Sequence, residues 1–533
     1  MNVIIIGAGH NGLTAAFYLA KAGLEPLVLE QSDTLGGGAI TGELHPGFRC
    51  PTLAHYAALR ADIAADMQLT RYGLEFIDGP VEAFAPALDG PPVVVYADER
   101  RTVEALRPAH AQDAEAFPRY RSAMTAVSGV LAPLVASPAP DINEPDGRDV
   151  WNLLRIARRF RALGRTDAYR LLRWMPMAVA DLASEWFQSE ALRALIAAPA
   201  VSGTMFGPRS AGSGLVLLLH EVTRHLTGRA VRVRGGPGAL TAAMAAAARA
   251  AGAEIQTGVR VERVLVANER VTGVLAGGRD MRADAVVSAV DPKTTFLQLV
   301  EPAHLSPDFV AKIRSYRAAG TLAKVNLALS ALPSFVGAGD AVGPAEAGGH
   351  LPQSAELLSG RIHIGPSLDY LERAFDHAKY GELSEAPWLD VTIPSVLDPG
   401  LAPGRAHVMS IYTHYAPYRL RSGDWPASRE TLLARTLATL ERVAPGIKRL
   451  VVAASVITPQ ELEARYGFHG GHVFHGELAP DQLVSMRPLP GFDRYGTPLR
   501  GLFVCSAGTH PGGFMSGGSG KLAAGEIIKT LRP

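Results

Sequence analysis

The stretch Val3-Ile4-Ile5-Ile6-Gly7-Ala8-Gly9-His10-Asn11-Gly12 decides the fold of this 533-residue chain. Its β-branched run predicts a strand buried in a parallel sheet, and GxGxxG predicts a tight turn into a helix. Residues 13–22 continue as that helix, and residues 26–29 form a second buried strand that ends at Glu30. A lone GxGxxG is a weak signal, but strand, turn, helix, strand and acid at this spacing indicate dinucleotide binding.

Each glycine of the motif has a physical task in phosphate binding. Gly7 permits the tight turn, Gly9 lets a pyrophosphate approach the main chain, and Gly12 lets the helix pack on the strand. The amides of the first helical turn, where His10 and Asn11 stand, face the phosphates. We therefore expect these five residues to bind the cofactor.

The acid that closes the fingerprint is Glu30, 18 residues beyond Gly12. A carboxylate at this position accepts hydrogen bonds from the ribose hydroxyls of the adenosine. Gln31 follows it directly and belongs to the predicted cofactor site. The fingerprint alone does not choose between NAD and FAD.

A glycine pair, Gly36-Gly37, stands six residues past Glu30. This spacing resembles the extended FAD motif of the amine oxidase and phytoene desaturase superfamily. The resemblance implies that Gly36, Gly37, Gly38 and Ala39 contact FAD. Many members carry an arginine directly after the pair, where this chain has Gly38.

The stretch 501–514, GLFVCSAGTHPGGF, resembles the C-terminal FAD signature of the carotenoid desaturase branch. The resemblance implies that Gly508, Met515, Ser516 and Gly517 lie at the isoalloxazine end of the cofactor. Amides at a second helix terminus there stabilise negative charge that develops on the flavin. Many members have an acid beside the ribityl chain, where this chain has Ala507.

A third segment resembles one particular group of the superfamily. Residues 470–476, GGHVFHG, with 481–483 and 487–488, are similar to the phytoene-dehydrogenase-related group, which includes pyridine nucleotide-disulfide oxidoreductase domain-containing proteins. In this family the main chain at Val261 meets the adenine side of the cofactor. We expect FAD to be held non-covalently and to be dissociable, because Gly38 and Ala507 leave mainly backbone contacts.

The predicted fold class is α/β, with a Rossmann-like FAD-binding domain in three discontinuous segments, an α+β substrate domain and a helical insertion. The FAD-binding domain comprises residues 1–60, 225–291 and 486–533. Residues 61–224 are expected to be the helical part of the substrate region, and residues 292–485 a sheet-containing substrate domain. Residues 336–356, rich in Gly, Ala and Pro, are interpreted as a mobile loop that gates the pocket or lies idle on the surface.

An arginine-rich segment runs from residue 149 to residue 200. Seven of its arginines, between Arg155 and Arg173, alternate with apolar residues, among them Trp151, Leu154, Phe160, Leu171 and Trp174. Such a stretch is typical of a solvated helix face, and also of a helix in peripheral contact with an anionic membrane. The net charge of +1 argues against a nucleic-acid partner.

Few features of the sequence bear on targeting or on thiol chemistry. The sequence runs from Met1 directly into the fingerprint, and no apolar run is long enough to cross a bilayer. Cys50 and Cys505 form no CxxC motif, which favours a reducing compartment. We expect a cytoplasmic protein; its oligomeric state stays open.

Candidate catalytic residues come from motif position alone. Thr509 and His510 belong to the C-terminal signature, while His472 and His475 approach from the substrate side. His469, His472 and His475 are spaced as metal ligands, but the glycines between them break any helix that would align them, so no metal is expected.

Three functions remain open at this stage. The leading hypothesis is an FAD-dependent dehydrogenase or oxidase that takes a hydride from a largely apolar organic substrate. Its reoxidation by O₂ or a quinone is expected, because no second GxGxxG motif offers a site for a pyridine nucleotide. The alternatives are a flavin-dependent isomerase of a polyene without net redox change, and a flavin-bearing binding or assembly protein.

Overall fold

The computed structural model describes residues 1–87, 90–141, 144–228, 232–338 and 353–532. Most of the interval 336–356, interpreted above as a mobile loop, lies outside these residues. The alternation of valine and arginine at residues 231–234 predicts a short strand, and residue 231 also lies outside the described residues. At Val233 the described chain makes only an isolated bridge, to Phe76.

Strands and helices alternate through both parts of the molecule. The strands in the described residues are β1 (Asn2–Ile6), β2 (Glu25–Leu29), β3 (Thr41–His45), β4 (Phe48–Pro51), β5 (Val81–Ala85), β6 (Val93–Tyr96), β7 (Glu254–Gln256), β8 (Val261–Ala267), β9 (Arg270–Ala276), β10 (Arg279–Arg282), β11 (Ala285–Ser288), β12 (Leu322–Leu329), β13 (Arg361–Ile364), β14 (Leu389–Thr392), β15 (His407–His414), β16 (Val451–Ile457) and β17 (Leu502–Val504). The helices there are α1 (His10–Lys21), α2 (Ala61–Asp66), α3 (Glu99–Leu106), α4 (Ala111–Ala136), α5 (Gly147–Ala162), α6 (Gly164–Trp174), α7 (Val179–Trp186), α8 (Glu190–Val201), α9 (Ser213–Thr227), α10 (Pro237–Ala250), α11 (Pro292–Thr294), α12 (Pro307–Ser315), α13 (Gln353–Leu357), α14 (Leu368–Lys379), α15 (Trp425–Val443), α16 (Ile447–Leu450), α17 (Pro459–Tyr466) and α18 (Gly518–Leu531).

A parallel sheet forms the centre of the nucleotide domain. Its strand order in the described residues is β17-β11-β1-β2-β7, and β1 pairs in parallel with both β2 and β11. Strand β1 is buried on both faces, as its β-branched run predicted. Helices α1, α10 and α18 contribute to the core on one side of this sheet. The α/β fold class with a Rossmann-like FAD-binding domain is confirmed.

A second, mainly antiparallel sheet forms the substrate domain. Its strand order in the described residues is β16-β12-β15-β14-β13-β5-β6. Strands β5 and β6 come from residues 61–224, for which we expected only helices. They join this sheet because their apolar side chains are buried between it and the helices, and β5 pairs in parallel with β13.

The arginine-rich segment lies in four helices, α5 to α8, and its alternating arginines are in α5 and α6. Leu171 and Trp174 are buried against the helical core, whereas Trp151 and Leu154 are 65% and 57% exposed. The described residues include no helix that is both long enough and apolar enough to span a membrane. Peripheral membrane contact by this exposed surface stays a prediction.

One buried guanidinium ties the substrate domain to the nucleotide domain. Arg487 is completely buried. It donates, over 2.9–3.2 Å, to the main-chain carbonyls of Phe474, Gly476, Glu477, Gln482 and Ala507. Loss of a buried donor leaves such carbonyls without partners, which costs more than the bonds themselves contribute.

We expect Arg487→Met to lower the free energy of unfolding by about 3–5 kcal/mol, because several buried carbonyls lose a charged donor at once. The midpoint of urea unfolding, followed by circular dichroism, measures this change. Arg500→Met, at an exposed position of the same domain, is the matched control. An equal and small shift in both variants would contradict the role assigned to Arg487.

Candidate active site

A cavity of about 1530 Å³ begins at the nucleotide fingerprint and continues into the substrate domain. Single-ligand sites usually occupy about 300–1,000 Å³, so this cavity has room for a dinucleotide and a second molecule. Eleven of the sixteen predicted cofactor residues line it, together with Ala507. Ten of these eleven stand at the dinucleotide end, namely Gly7, Gly9, His10, Asn11, Glu30, Gln31, Gly37, Gly38, Ala39 and Val261, and the eleventh is Met515 of the C-terminal motif.

The turn between β1 and α1 provides an open cradle of main-chain groups. Helix α1 begins after Gly9, which offers no side-chain cap to the first-turn amides. A Cβ atom added at Gly9 meets no atom within 4 Å, whereas one at Gly12 would lie 2.1 Å from the carbonyl oxygen of Gly7. Gly9 therefore borders the cavity, while Gly12, which does not line it, allows the helix to approach the strand.

The glycine pair lies directly against this cradle. Gly36 donates its amide to the carbonyl of Ala8 over 3.0 Å and forms a parallel bridge with Gly9. Both glycines have positive φ, 121° at Gly36 and 59° at Gly37. Residues with a side chain rarely adopt this backbone conformation, so glycine is needed to fold the loop onto the phosphate-binding turn. Gly37 lines the cavity and Gly36 supports it from behind.

Glu30 stands at the adenosine end of the cavity. Its Oε2 accepts the amide of Ala8 over 2.8 Å, and its Oε1 accepts the amide of Ser32 over 2.9 Å. The main-chain carbonyl of Glu30 also accepts the amide of Val259, which brings Val261 to the same wall. Each carboxylate oxygen keeps a lone pair for a ribose hydroxyl.

The C-terminal motif presents only part of its length to the cavity. Ala507 and Met515 line it. Gly517 is the N-cap of α18, but its Cβ position lies 2.8 Å from Leu59, and the Ser516 hydroxyl accepts the amide of Gly518. The amides expected to face the flavin at this helix terminus are thus partly engaged within the protein, and Gly508, Ser516 and Gly517 stand behind the cavity wall.

Only one of the four residues expected to act in catalysis lines the cavity, and this residue is His475. The Nε2 of His510 lies 2.9 Å and 3.0 Å from the carbonyl oxygens of Ser137 and Leu134. Thr509 bonds through Oγ1 to the Ser506 carbonyl and to the Ser519 hydroxyl, and His472 accepts the Phe474 amide. These three side chains hold the wall in place, so the geometry does not support direct catalytic roles for them.

His475 borders the cavity as a neutral imidazole. Burial lowers its pKa to about 3. Its carbonyl accepts the hydroxyl proton of Tyr316 over 3.1 Å, which fixes a main chain with φ of 55°. In the described ranges no three His, Cys, Asp or Glu side chains are grouped to hold a metal ion.

Motif comparison missed a buried lysine, Lys324, in the substrate part of the cavity. The loop after the glycine pair connects the cofactor end of the cavity to the strand beside this lysine. The Ala54 amide donates to the carbonyl of Gly38, and the His55 amide donates to the hydroxyl of Tyr412. His55 stacks on Tyr412 at 3.7 Å between ring centroids, and the Lys324 ammonium lies 4.4 Å from the same ring. A lysine inside a largely apolar strand was the signal available in the sequence.

Lys324 stands in a row of polar side chains across three neighbouring strands. In the sheet register Lys324 of β12 faces Tyr412 of β15, and Tyr412 faces Asp390 of β14. Directly opposed residues share one face of a sheet, and all three side chains line the cavity. Burial lowers the pKa of Lys324 to about 7, and burial raises the pKa of Asp390 to about 6. Both groups therefore titrate near neutral pH.

Comparison with known proteins places this chain among flavoproteins. It matches the family described as FAD dependent oxidoreductase over residues 2–525. It is 35% identical to pyridine nucleotide-disulfide oxidoreductase domain-containing protein 2 of Rattus norvegicus, an alignment that covers 100% of this chain and 94% of the rat protein. It is 26% identical to a lycopene-forming phytoene desaturase of Pseudescherichia vulneris, over 99% of both chains.

A solved structure has the same fold at low sequence identity. Cyclohexylamine oxidase from Brevibacterium oxydans superposes with a TM-score of 0.59 at 17% identity. The superposition covers 100% of this chain and 99% of the oxidase. At this level of identity the likeness concerns the fold alone.

Two glycine substitutions separate cofactor binding from folding. Gly9→Ala is expected to leave the free energy of unfolding of the flavin-free protein within about 0.5 kcal/mol of wild type, because its Cβ meets open space. The same methyl group enters the phosphate cradle and is expected to raise the dissociation constant of FAD at least tenfold. Fluorescence titration with FAD and urea unfolding measure the two quantities.

Gly12→Ala serves as the contrasting variant. Its Cβ would collide with the Gly7 carbonyl, so we expect a loss of about 1–3 kcal/mol in the free energy of unfolding as well as weaker FAD binding. If Gly9→Ala bound FAD as tightly as wild type, the phosphate cradle would have been assigned to the wrong turn.

Proposed function

The chain belongs to the family of FAD-dependent oxidoreductases, and from this premise we propose that it removes a hydride and a proton from an organic substrate with a largely apolar body. The phytoene desaturase relative confirms the resemblance predicted from the C-terminal motif. The observation that carries the proposal is one continuous cavity that joins the dinucleotide cradle to Lys324.

The residues at the dinucleotide end fit FAD. The uncapped amides of α1 suit a pyrophosphate, and Glu30 beside Val261 suits the adenosine. The buried Nε2 of His10 and Nδ1 of His475 border the cavity without a partner among the described residues, and both suit polar atoms of a bound cofactor. Both cysteines are buried and neither lines the cavity, which supports non-covalent attachment.

The substrate arm of the cavity is walled largely by apolar side chains. These include Val81, Val95, Phe117, Leu195, Ile196, Phe474 and Phe514. They bind an apolar substrate body by the hydrophobic effect and limit the access of water to the reacting atoms. A flavin supplies a two-electron acceptor for a hydride. The reaction then still needs a polar group that accepts a proton from the substrate.

Lys324 is the group in the substrate arm that is best suited to accept this proton. The substrate loses a hydride with two electrons from one atom and a proton from its neighbour, and a double bond forms between the two atoms. The neutral Nζ of Lys324 takes the proton, while Tyr412 and Ser410 hold the amine in position. We propose O₂ or a quinone as the final two-electron acceptor.

The proposed function is tested with the purified protein by absorption spectroscopy. We expect a flavin band, release of FAD into the supernatant on acid precipitation, and bleaching on anaerobic addition of a substrate. Flavin that stays in the pellet would contradict non-covalent attachment. Bound flavin that no organic substrate bleaches would contradict the oxidoreductase mechanism and favour an isomerase or a binding protein.

The pH dependence tests the role of Lys324. Because only the neutral amine accepts a proton and burial lowers its pKa to about 7, kcat/KM should fall tenfold per pH unit below about 7 and level off above it. Lys324→Met should lower kcat about 10²–10⁴-fold and abolish this limb of the profile. Lys379→Met, at an exposed helix position, is the control. An unchanged limb in Lys324→Met would rule out Lys324 as the acceptor.

A further inference from the structure

Two arginines in the substrate arm carry more positive charge than the protein itself neutralises. Arg361 begins β13 and lies 3.7 Å from the carboxylate of Asp390. Arg232 precedes α10, and no carboxylate in the described part of the chain forms an ion pair with it. Both guanidinium groups line the cavity. A partly buried cation without a matching anion is costly, so its retention indicates a ligand that supplies the anion.

The two arginines converge on the same tyrosine. The guanidinium carbon of Arg232 lies 5.6 Å from the ring centroid of Tyr56. Burial raises the pKa of Tyr56, nearby Asp390 raises it further, and Arg232 and Arg361 counteract the rise. All three charged groups therefore lie within electrostatic reach of one phenol: two permanent cations and one carboxylate.

A second arginine group in the same cavity shows the opposite pattern. Arg121 and Arg224 share Glu82 at 3.3 Å and 3.6 Å, and Arg224 also binds Glu221 at 2.8 Å. Here two cations meet two carboxylates, so the protein balances its own charge. Among the described arginines that line the substrate arm, Arg232 and Arg361 share a single carboxylate, and we call these two residues the arginine pair.

We propose that the arginine pair binds a carboxylate of the substrate, which is therefore an organic acid with an apolar body. Two guanidinium groups present paired N–H donors that match the two oxygens of a carboxylate. The Tyr56 hydroxyl supplies a further donor at the same place. This inference rests on the proposed function and adds the substrate class to it.

The sheet also sets the distance between the acid group and the reacting bond. Lys324 is on β12 and Arg361 on β13, with β15 and β14 between them. Three strand spacings separate the two positions, about 14 Å. An acid held by the arginine pair thus places a carbon several bonds from its carboxylate beside Lys324. The apolar walls cover the chain in between.

The test uses eight-carbon compounds that differ only in the head group: octanoate, 1-octanol and octylammonium. Isothermal titration calorimetry on the FAD-loaded protein measures their binding. We expect octanoate to bind at least tenfold more tightly than the other two. Octanoate that binds no more tightly than octanol, or shows no binding, would overturn the inference.

Variants then assign the preference to residues. Arg232→Met and Arg361→Met should each weaken octanoate binding at least tenfold and leave octanol binding within twofold. Arg155→Met, at an exposed arginine of α5, should change neither. Unaltered octanoate binding in both cavity variants would overturn the inference. If either variant fails to fold, the relative affinities of the three compounds for the wild-type protein still test the inference.

Two outcomes separate this inference from the proposed function. Octanoate binding that depends on Arg232, in a protein whose flavin no organic compound bleaches, would contradict the proposed function alone. Bleaching by an amine or a hydrocarbon, at rates that both arginine variants leave unchanged, would contradict the arginine pair alone.

Discussion

The close approach of α1 to the turn after β1 is the constraint on which the rest of the site depends. Gly12 has no space for a Cβ atom because the Gly7 carbonyl occupies it. The contact directs the first-turn amides at the cavity and sets the position against which the glycine pair folds. Helix α18 then packs on α1 with equal closeness, since a Cβ at Gly520 would lie 2.2 Å from the Asn11 carbonyl. Cofactor cradle and domain core are built by the same contacts.

The nucleotide domain could be predicted from the sequence because its information is local. The fingerprint, the glycine pair and the strand 285–288 each combine a short apolar run with a turn, and such patterns determine their own structure. Strands β5 and β6 were missed because their burial depends on β13, about 280 residues further along the chain.

Catalytic residues were harder to predict than cofactor residues. A motif fixes where the main chain runs, and this chain places Ala507 and Met515 at the cavity as a motif predicts. The motif does not fix the direction in which each side chain points. Thr509 and His510 bond to neighbouring chain segments and support the cavity wall. Lys324, Asp390 and Arg361 come from separate strands with no shared motif. Their grouping follows from sheet register, which the sequence alone does not specify.

The order of strands in the parallel sheet has a consequence for biosynthesis. Strand β1 is made before the other described strands, yet one of its two edges pairs with β11, whose residues begin at 285. At about 5–20 residues per second, the ribosome leaves that apolar edge without its partner for roughly 15–60 s. An open edge of this kind invites pairing with other nascent chains, which makes early shielding by a chaperone valuable. Because Met515 lies more than 500 residues after β1, the cofactor cavity is completed only after the C-terminal motif has been translated.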